Sequence, residues 1–317
     1  MRGHTIPWGL AVAAVMVVAG AAAGDKIITG VPDWNQPNDY AAATPGLNLN
    51  DAPQWCSPTA GANLMGYWED QRSCPGLTDG AAFNASPAFP NPANNSPPQG
   101  NEWKQGLWHD GMIEMGWFMN TGSWQNMLPN PSWPPGAGMT ALANIGPGAG
   151  AYAAGAWVDP TGGGGLVKTA YVPASVTKDT VLGAAMWSNY QAEIDNDRPV
   201  LVTFKMWVDD TVPTVTTTVD GQEVEIYPID LLGSEPHTVV GVGYHDPTPG
   251  QAWSGDEEII GQDGWASTGT YVMVPVNPAN PAPFWLQNDY INIPEPTCVA
   301  LVACGVAMLG ARRRRRR

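Results

Sequence analysis

The chain has 317 residues with 14 basic and 29 acidic side chains, and its formal net charge is −15. That length buries a sizeable core without staples, and the acidic balance argues against nucleic acid as a partner. With 37 glycines and 31 prolines the chain is loop-rich, so its 15 tryptophans must mostly pack in the core or line a groove.

At the N-terminus Arg2 precedes an apolar run from Leu10 to Val18, followed by small residues ending in Ala21, Ala22 and Ala23. This order of charged, apolar and small segments predicts a secretory signal over residues 1–24, cleaved near Ala23 or Gly24. Residues 25 to 50 read as an extended, Pro/Asn-rich entry. A helix is expected from Ser57 to about Asp70: Ser57 can cap it, Pro58 suits its first turn, and Ala60, Leu64, Tyr67 and Trp68 recur on one face. Cys56 then lies at the helix N-terminus.

From Cys74 to about Gly165, "SPAFPNPANNSPPQGN" and "GPGAGAYAAGAWVDPTGGGG" read as loop punctuation around a Trp/Met-rich stretch, "EWKQGLWHDGMIEMGWFM", that suits one helix. The region is expected to be a long insertion, about 75–165. A helix follows in "KDTVLGAAMWSNYQAEIDN", with Asp179 as candidate cap and Val181, Leu182, Ala185, Met186 and Tyr190 on one side. "RPVLVTFKMWV" predicts a strand, Asp220-Gly221 a hairpin turn, and "HTVVGVGYHD", "DEEIIGQDGW" and "GTYVMVPV" three more strands. A helix-first half followed by an antiparallel β half predicts an α+β domain over 25–293.

The C-terminus reads "NIPEPTCVALVACGVAMLGARRRRRR". Thr297 to Ala311 is nearly all apolar and, as a helix, barely spans a thin bilayer, with Arg312 to Arg317 as a cytoplasmic stop. Pro294-Glu295-Pro296, the short span and the arginine cluster together resemble the PEP-CTERM sorting signal of bacterial secreted proteins. The resemblance implies transient membrane association through residues 294–317, removal of the tail by an exosortase-type transpeptidase, and delivery to the cell surface or extracellular matrix. Signal peptidase and that sorting enzyme are the processing partners it implies. Setting aside Arg2 and the six terminal arginines leaves seven basic residues against 29 acidic ones, a net near −22, which further disfavours nucleic acid.

Cys298 and Cys304 lie in the tail, so the remaining body holds Cys56 and Cys74. In an oxidising compartment two cysteines eighteen apart are a plausible disulfide. The alternative is nucleophilic chemistry, which needs a thiolate, a histidine to exchange protons, a group that orients it and donors for the oxyanion. A helix N-terminus lowers a thiol pKa, which favours Cys56. With His4 in the signal, the base is His109, His237 or His245. His237 opens an apolar strand, His245 follows it, and His109 lies in the insertion.

The helix-start cysteine in "WCSPTAGANLMGYW", the step "EIDNDRPVLVTF", then "PHTVVGVGYHD" and "IIGQDGW" resemble, in order, the papain-like cysteine peptidases of the bacteriocin-processing type. The resemblance covers most of residues 31 to 275 outside the insertion. It implies a papain-like fold, Cys56 as nucleophile, His237 as general base and Asp263 as the carboxylate that orients it. Gln36 in "VPDWNQP" is the oxyanion donor it favours, with Gln54 as the other candidate. The chain departs from the family in carrying Ser57 where a glycine usually follows the nucleophile. No cofactor or metal is expected, since the cysteines and histidines show no ligand spacing. The substrate expected is a peptide or protein. Two other readings stand beside hydrolysis: a catalytically silent member of the fold serving as a matrix or cell-surface structural or binding protein, and acyl transfer to an amine from the same thioester.

Overall fold

The computed structural model describes residues 24–34, 56–78, 115–116, 118–119, 121, 140–155, 157–158, 166–205, 207–208, 215–226, 229–230, 236–264, 269–276 and 285–294. The two end signals, apart from the residues at their inner borders, lie outside these, as do Gln36, Gln54 and His109. Among the described residues no helix is long and apolar enough to cross a membrane.

Apolar β-branched runs between turn residues set the frame. They build a mixed α+β structure around a nine-stranded sheet with the order β4-β13-β5-β10-β11-β12-β8-β7. Its strands are β4 (Ser175–Asp179), β5 (Val200–Lys205), β7 (Val215–Val219), β8 (Gln222–Ile226), β10 (Pro236–His245), β11 (Glu258–Gln262), β12 (Val272–Pro275) and β13 (Trp285–Asn292). The ninth, β1 (Asp25–Ile27), pairs with the far end of β10. All pairings are antiparallel except β12 with β8. Two short pairs stand apart, β2 (Trp157–Val158) with β3 (Leu166–Lys168) and β6 (Trp207–Val208) with β9 (Ile229–Asp230).

The β7–β8 hairpin turns at Asp220 and Gly221, both at positive φ (47° and 76°), the backbone of a type I′ turn. Strands predicted at 198–208, 237–246, 256–265 and 269–276 all fall where β5, β10, β11 and β12 lie. β13 was not expected. It runs between β4 and β5 and buries Gln287, Asn288 and Asp289, polar residues that disguise a central strand.

Helices cover both faces of the sheet. α1 (Cys56–Gln71) is buried on every side from Cys56 to Trp68, as expected of a helix inside a domain. Two glycines let neighbours approach it: a Cβ on Gly61 would meet Met115 and Met119 at 2.8 Å, and one on Gly66 the Trp34 ring at 2.7 Å. α2 (Ile145–Ala154) lies on the same face and corrects the reading of "GPGAGAYAAG" as loop. Its glycines cost intrinsic helicity, yet Gly148 fits against Met119 and Gly150 against Val176 at separations no Cβ permits. Close packing therefore overrides propensity.

α3 (Ala184–Asp195) covers the other face and starts later than expected. Asp179 does not cap it. That residue ends β4, and its carboxylate accepts from Asn189 and Tyr290. Val181 is 80 % exposed, and Met186, Trp187, Tyr190 and Ile194 form the buried stripe. Trp187, Tyr190, Tyr244 and Trp285 pack ring to ring beneath it.

Cross-strand register assigns the faces. Thr203, Thr238 and Gln287 lie side by side on the α1/α2 face, and Phe204 and Trp285 on the α3 face.

Candidate functional site

Cys56 is the first residue of α1, and β10 begins at Pro236 beside it. The two meet where the sheet opens. β11 ends at Gln262 opposite Val240, which leaves the start of β10 without that neighbour. Cys56 fills the gap: the main-chain N–H of Thr238 donates to its sulfur, in place of a ladder bond. Sγ also lies 3.9 Å from Ser57 Oγ, which is 2.7 Å from Thr238 Oγ1, and that hydroxyl is 3.1 Å from Thr203 Oγ1. Ser57 thus lies inside the helix and turns its hydroxyl to the sheet rather than capping.

His237 precedes Thr238 in the strand, so the thiol is bonded to the main chain of the residue next to His237. The ring is 6 % exposed, and its Nε2 lies 3.2 Å from the main-chain oxygen of Asp263. A carbonyl only accepts, so a neutral ring carries its proton on Nε2. This contact is made by the Asp263 main chain, and the orienting role that the family resemblance implies is one for its carboxylate.

The Asp263 side chain is buried, and its charge also acts on Asp33. Burial first, then Asp263, push Asp33 up to about 6, against a hydrogen bond from Thr270. Asp33 was not singled out in the sequence; one carboxylate in a Pro/Asn-rich entry carries no signal. Its segment is clamped to α1 by Asn63, which accepts from Trp34 N at 3.1 Å and donates to Trp34 O at 3.2 Å. Gln262 holds the same segment by donating to Val31 O. The chain passes Gly66 at Pro32 and Asn63 at Trp34, so it runs toward the Cys56 end of the helix.

Burial governs the electrostatics. It pushes the Cys56 thiol up, against the opposing donors of Thr238 and Ser57, and pushes His237 down to about 4, against Asp263. At neutral pH the pair is therefore a thiol and a neutral imidazole. This corrects the expected helix-start thiolate, because desolvation outweighs the terminal dipole.

The disulfide does not form: Cys56 and Cys74 are both buried free thiols. α1 holds them about 22 Å or more apart at 1.5 Å per residue, whereas a disulfide needs Cα atoms roughly 4–7 Å apart. His245 stands at the other end of β10, paired with Asp25. Among the described residues no group of three or more His, Cys, Asp or Glu is arranged to hold a metal ion.

Comparison with family models, with curated proteins and with solved structures finds no match to this chain.

Proposed function

We propose that this chain is a papain-like cysteine hydrolase acting on peptide bonds, exported and sorted to the cell surface. The observation that carries the reading is a helix-start thiol bonded to Thr238, next to a buried histidine whose Nε2 is held by Asp263. In the reaction Nδ1 of His237 takes the thiol proton as Sγ attacks the carbonyl carbon, so base and nucleophile act together rather than from a preformed ion pair. The protonated ring then delivers its proton to the leaving amine. Water, deprotonated by the same nitrogen, cleaves the thioester. Asp263 keeps the tautomer, and the Cys56 main-chain N–H with Gln36 would receive the oxyanion. Trp34, two residues before Gln36 in the sequence, is held at Asn63, nearer the Cys56 end of α1 than Gly66, which favours Gln36.

Export and sorting rest on the two end patterns, with signal peptidase and an exosortase-type enzyme as processing partners. Mass spectrometry of both termini of the protein recovered from cells tests this: ends near residue 24 and near Pro294 are expected, and intact ends would refute it. For the chemistry, the purified protein is incubated with a diverse peptide pool. Cleavage that disappears in both Cys56→Ala and His237→Ala supports the peptidase. Absence of cleavage, with binding to a matrix component retained in Cys56→Ala, would support the silent binding member. New amide products instead of acids would identify acyl transfer.

A further inference from the structure

The residue after the nucleophile, Ser57, departs from the glycine usual in the family the chain resembles, and its buried hydroxyl has a defined use. Ser57 Oγ and Thr238 Oγ1 are 2.7 Å apart, and Thr238 Oγ1 and Thr203 Oγ1 3.1 Å. All three residues are buried, at 3 %, 2 % and 0 % exposure. The row crosses three elements, from α1 to β10 to β5, and ends at Cys56 Sγ, 3.9 Å from Ser57 Oγ.

We infer that Ser57, Thr238 and Thr203 form a hydroxyl relay that positions the Cys56 sulfur and stabilises its negative charge whenever the proton has left. A hydroxyl both donates and accepts, so the row has two polarities. With a thiol, S–H can point into Ser57. With a thiolate, Thr203 donates to Thr238, Thr238 to Ser57, and Ser57 to sulfur, each O–H rotating about its own bond. No atom is gained or lost, and the Thr238 main-chain N–H adds a fixed donor. In a site this dry, charge-assisted bonds are stronger than in water, and a cooperative chain exceeds one isolated hydroxyl. An apolar row would pack as well, since valine matches threonine in shape. Three hydroxyls in line toward one sulfur therefore answer to its charge.

These are positioning residues, acting through Cys56. The inference rests on the proposed role of Cys56 as nucleophile, but its test uses no substrate, so a failure of the peptidase reading leaves it decidable. The full chain is reacted with methyl methanethiosulfonate across a pH series, adducts at Cys56 are separated from those at Cys74 by peptide mass spectrometry, and thiolate absorbance is followed in parallel. In Thr238→Val and in Ser57→Ala the Cys56 profile should move to higher pH, with the rate at neutral pH falling about tenfold. Thr238→Ser, which keeps the hydroxyl, should restore the wild-type profile. Circular dichroism identifies any variant that fails to fold, and Ser57→Ala then decides alone. Profiles of folded Thr238→Val or Ser57→Ala that superimpose on wild type would overturn the relay, as would a Thr238→Ser variant no better than Thr238→Val.

Discussion

The two histidines of β10 stand eight residues apart on one strand and meet opposite surroundings. His237, at the strand's start, is buried, and its Nε2 meets the main-chain oxygen of Asp263. His245, at its end, is about one-third exposed and paired with the Asp25 carboxylate. Around it lie Lys26, bonded to Asp197 and to the Asp195 carbonyl, and Glu258, which burial pushes up and His245 holds back. Charge is kept in solvent at one end and excluded at the other. At the dry end desolvation disfavours the charged imidazole.

The largest effect should separate the two outright. Where peptide cleavage is observed, His237→Ala should lower its rate by about a thousandfold or more, and His245→Ala should stay within about twofold of wild type. Comparable losses in both would break the contrast.

Phe204 lies directly opposite His237 in the β5–β10 register and is fully buried. Phe204→Ala should cost about 3–5 kcal/mol in urea unfolding. By admitting water it should also move the His237 titration up from about 4 toward its ordinary value, read by NMR.

Stability against pH gives the next effect. The folded pKa of His237 is depressed, so its contribution is complete above about 6.5 and is lost as pH falls toward about 4, at most about 3 kcal/mol. His237→Gln should flatten that acid limb in a pH series of denaturation midpoints. Asp289 works in the opposite sense. It is buried at the first turn of α2, where Gly146 N–H faces its carboxylate, and burial raises it to about 6. Its contribution is complete below about 4 and lost as pH rises through 6, so Asp289→Asn should remove a decline over that window.

The smallest effect belongs to the wet end. Asp25→Asn should cost under about 1 kcal/mol and lose its effect in high salt, because the pair it breaks is partly solvated.

What could be read from the sequence follows the same division. Continuous apolar runs announced β5, β10, β11 and β12, and Asp220-Gly221 announced its turn. β13 escaped because Gln287, Asn288 and Asp289 are buried by partners remote in sequence, such as the Leu142 carbonyl that accepts from Gln287. α2 escaped because its glycines serve close packing, which no local propensity reports. In the candidate site, the places of Cys56 at a helix start and His237 at a strand start were legible from the order of motifs. Thr203 and Thr238 were not, since threonine in an apolar strand looks like ordinary β-branched filling until register brings two strands together. The charge state was not legible either, because a helix start argues for thiolate and only three-dimensional burial reverses it.

The central claim is that Cys56 and His237 act as one unit. The direct measurement is stoichiometric labelling by a peptide carrying an electrophilic ketone, read by mass spectrometry at Cys56 in wild type, His237→Ala and His245→Ala. The account predicts one adduct at Cys56 in wild type and in His245→Ala, and none in His237→Ala. Equal labelling of Cys56 in His237→Ala, or none in folded wild type, would contradict it.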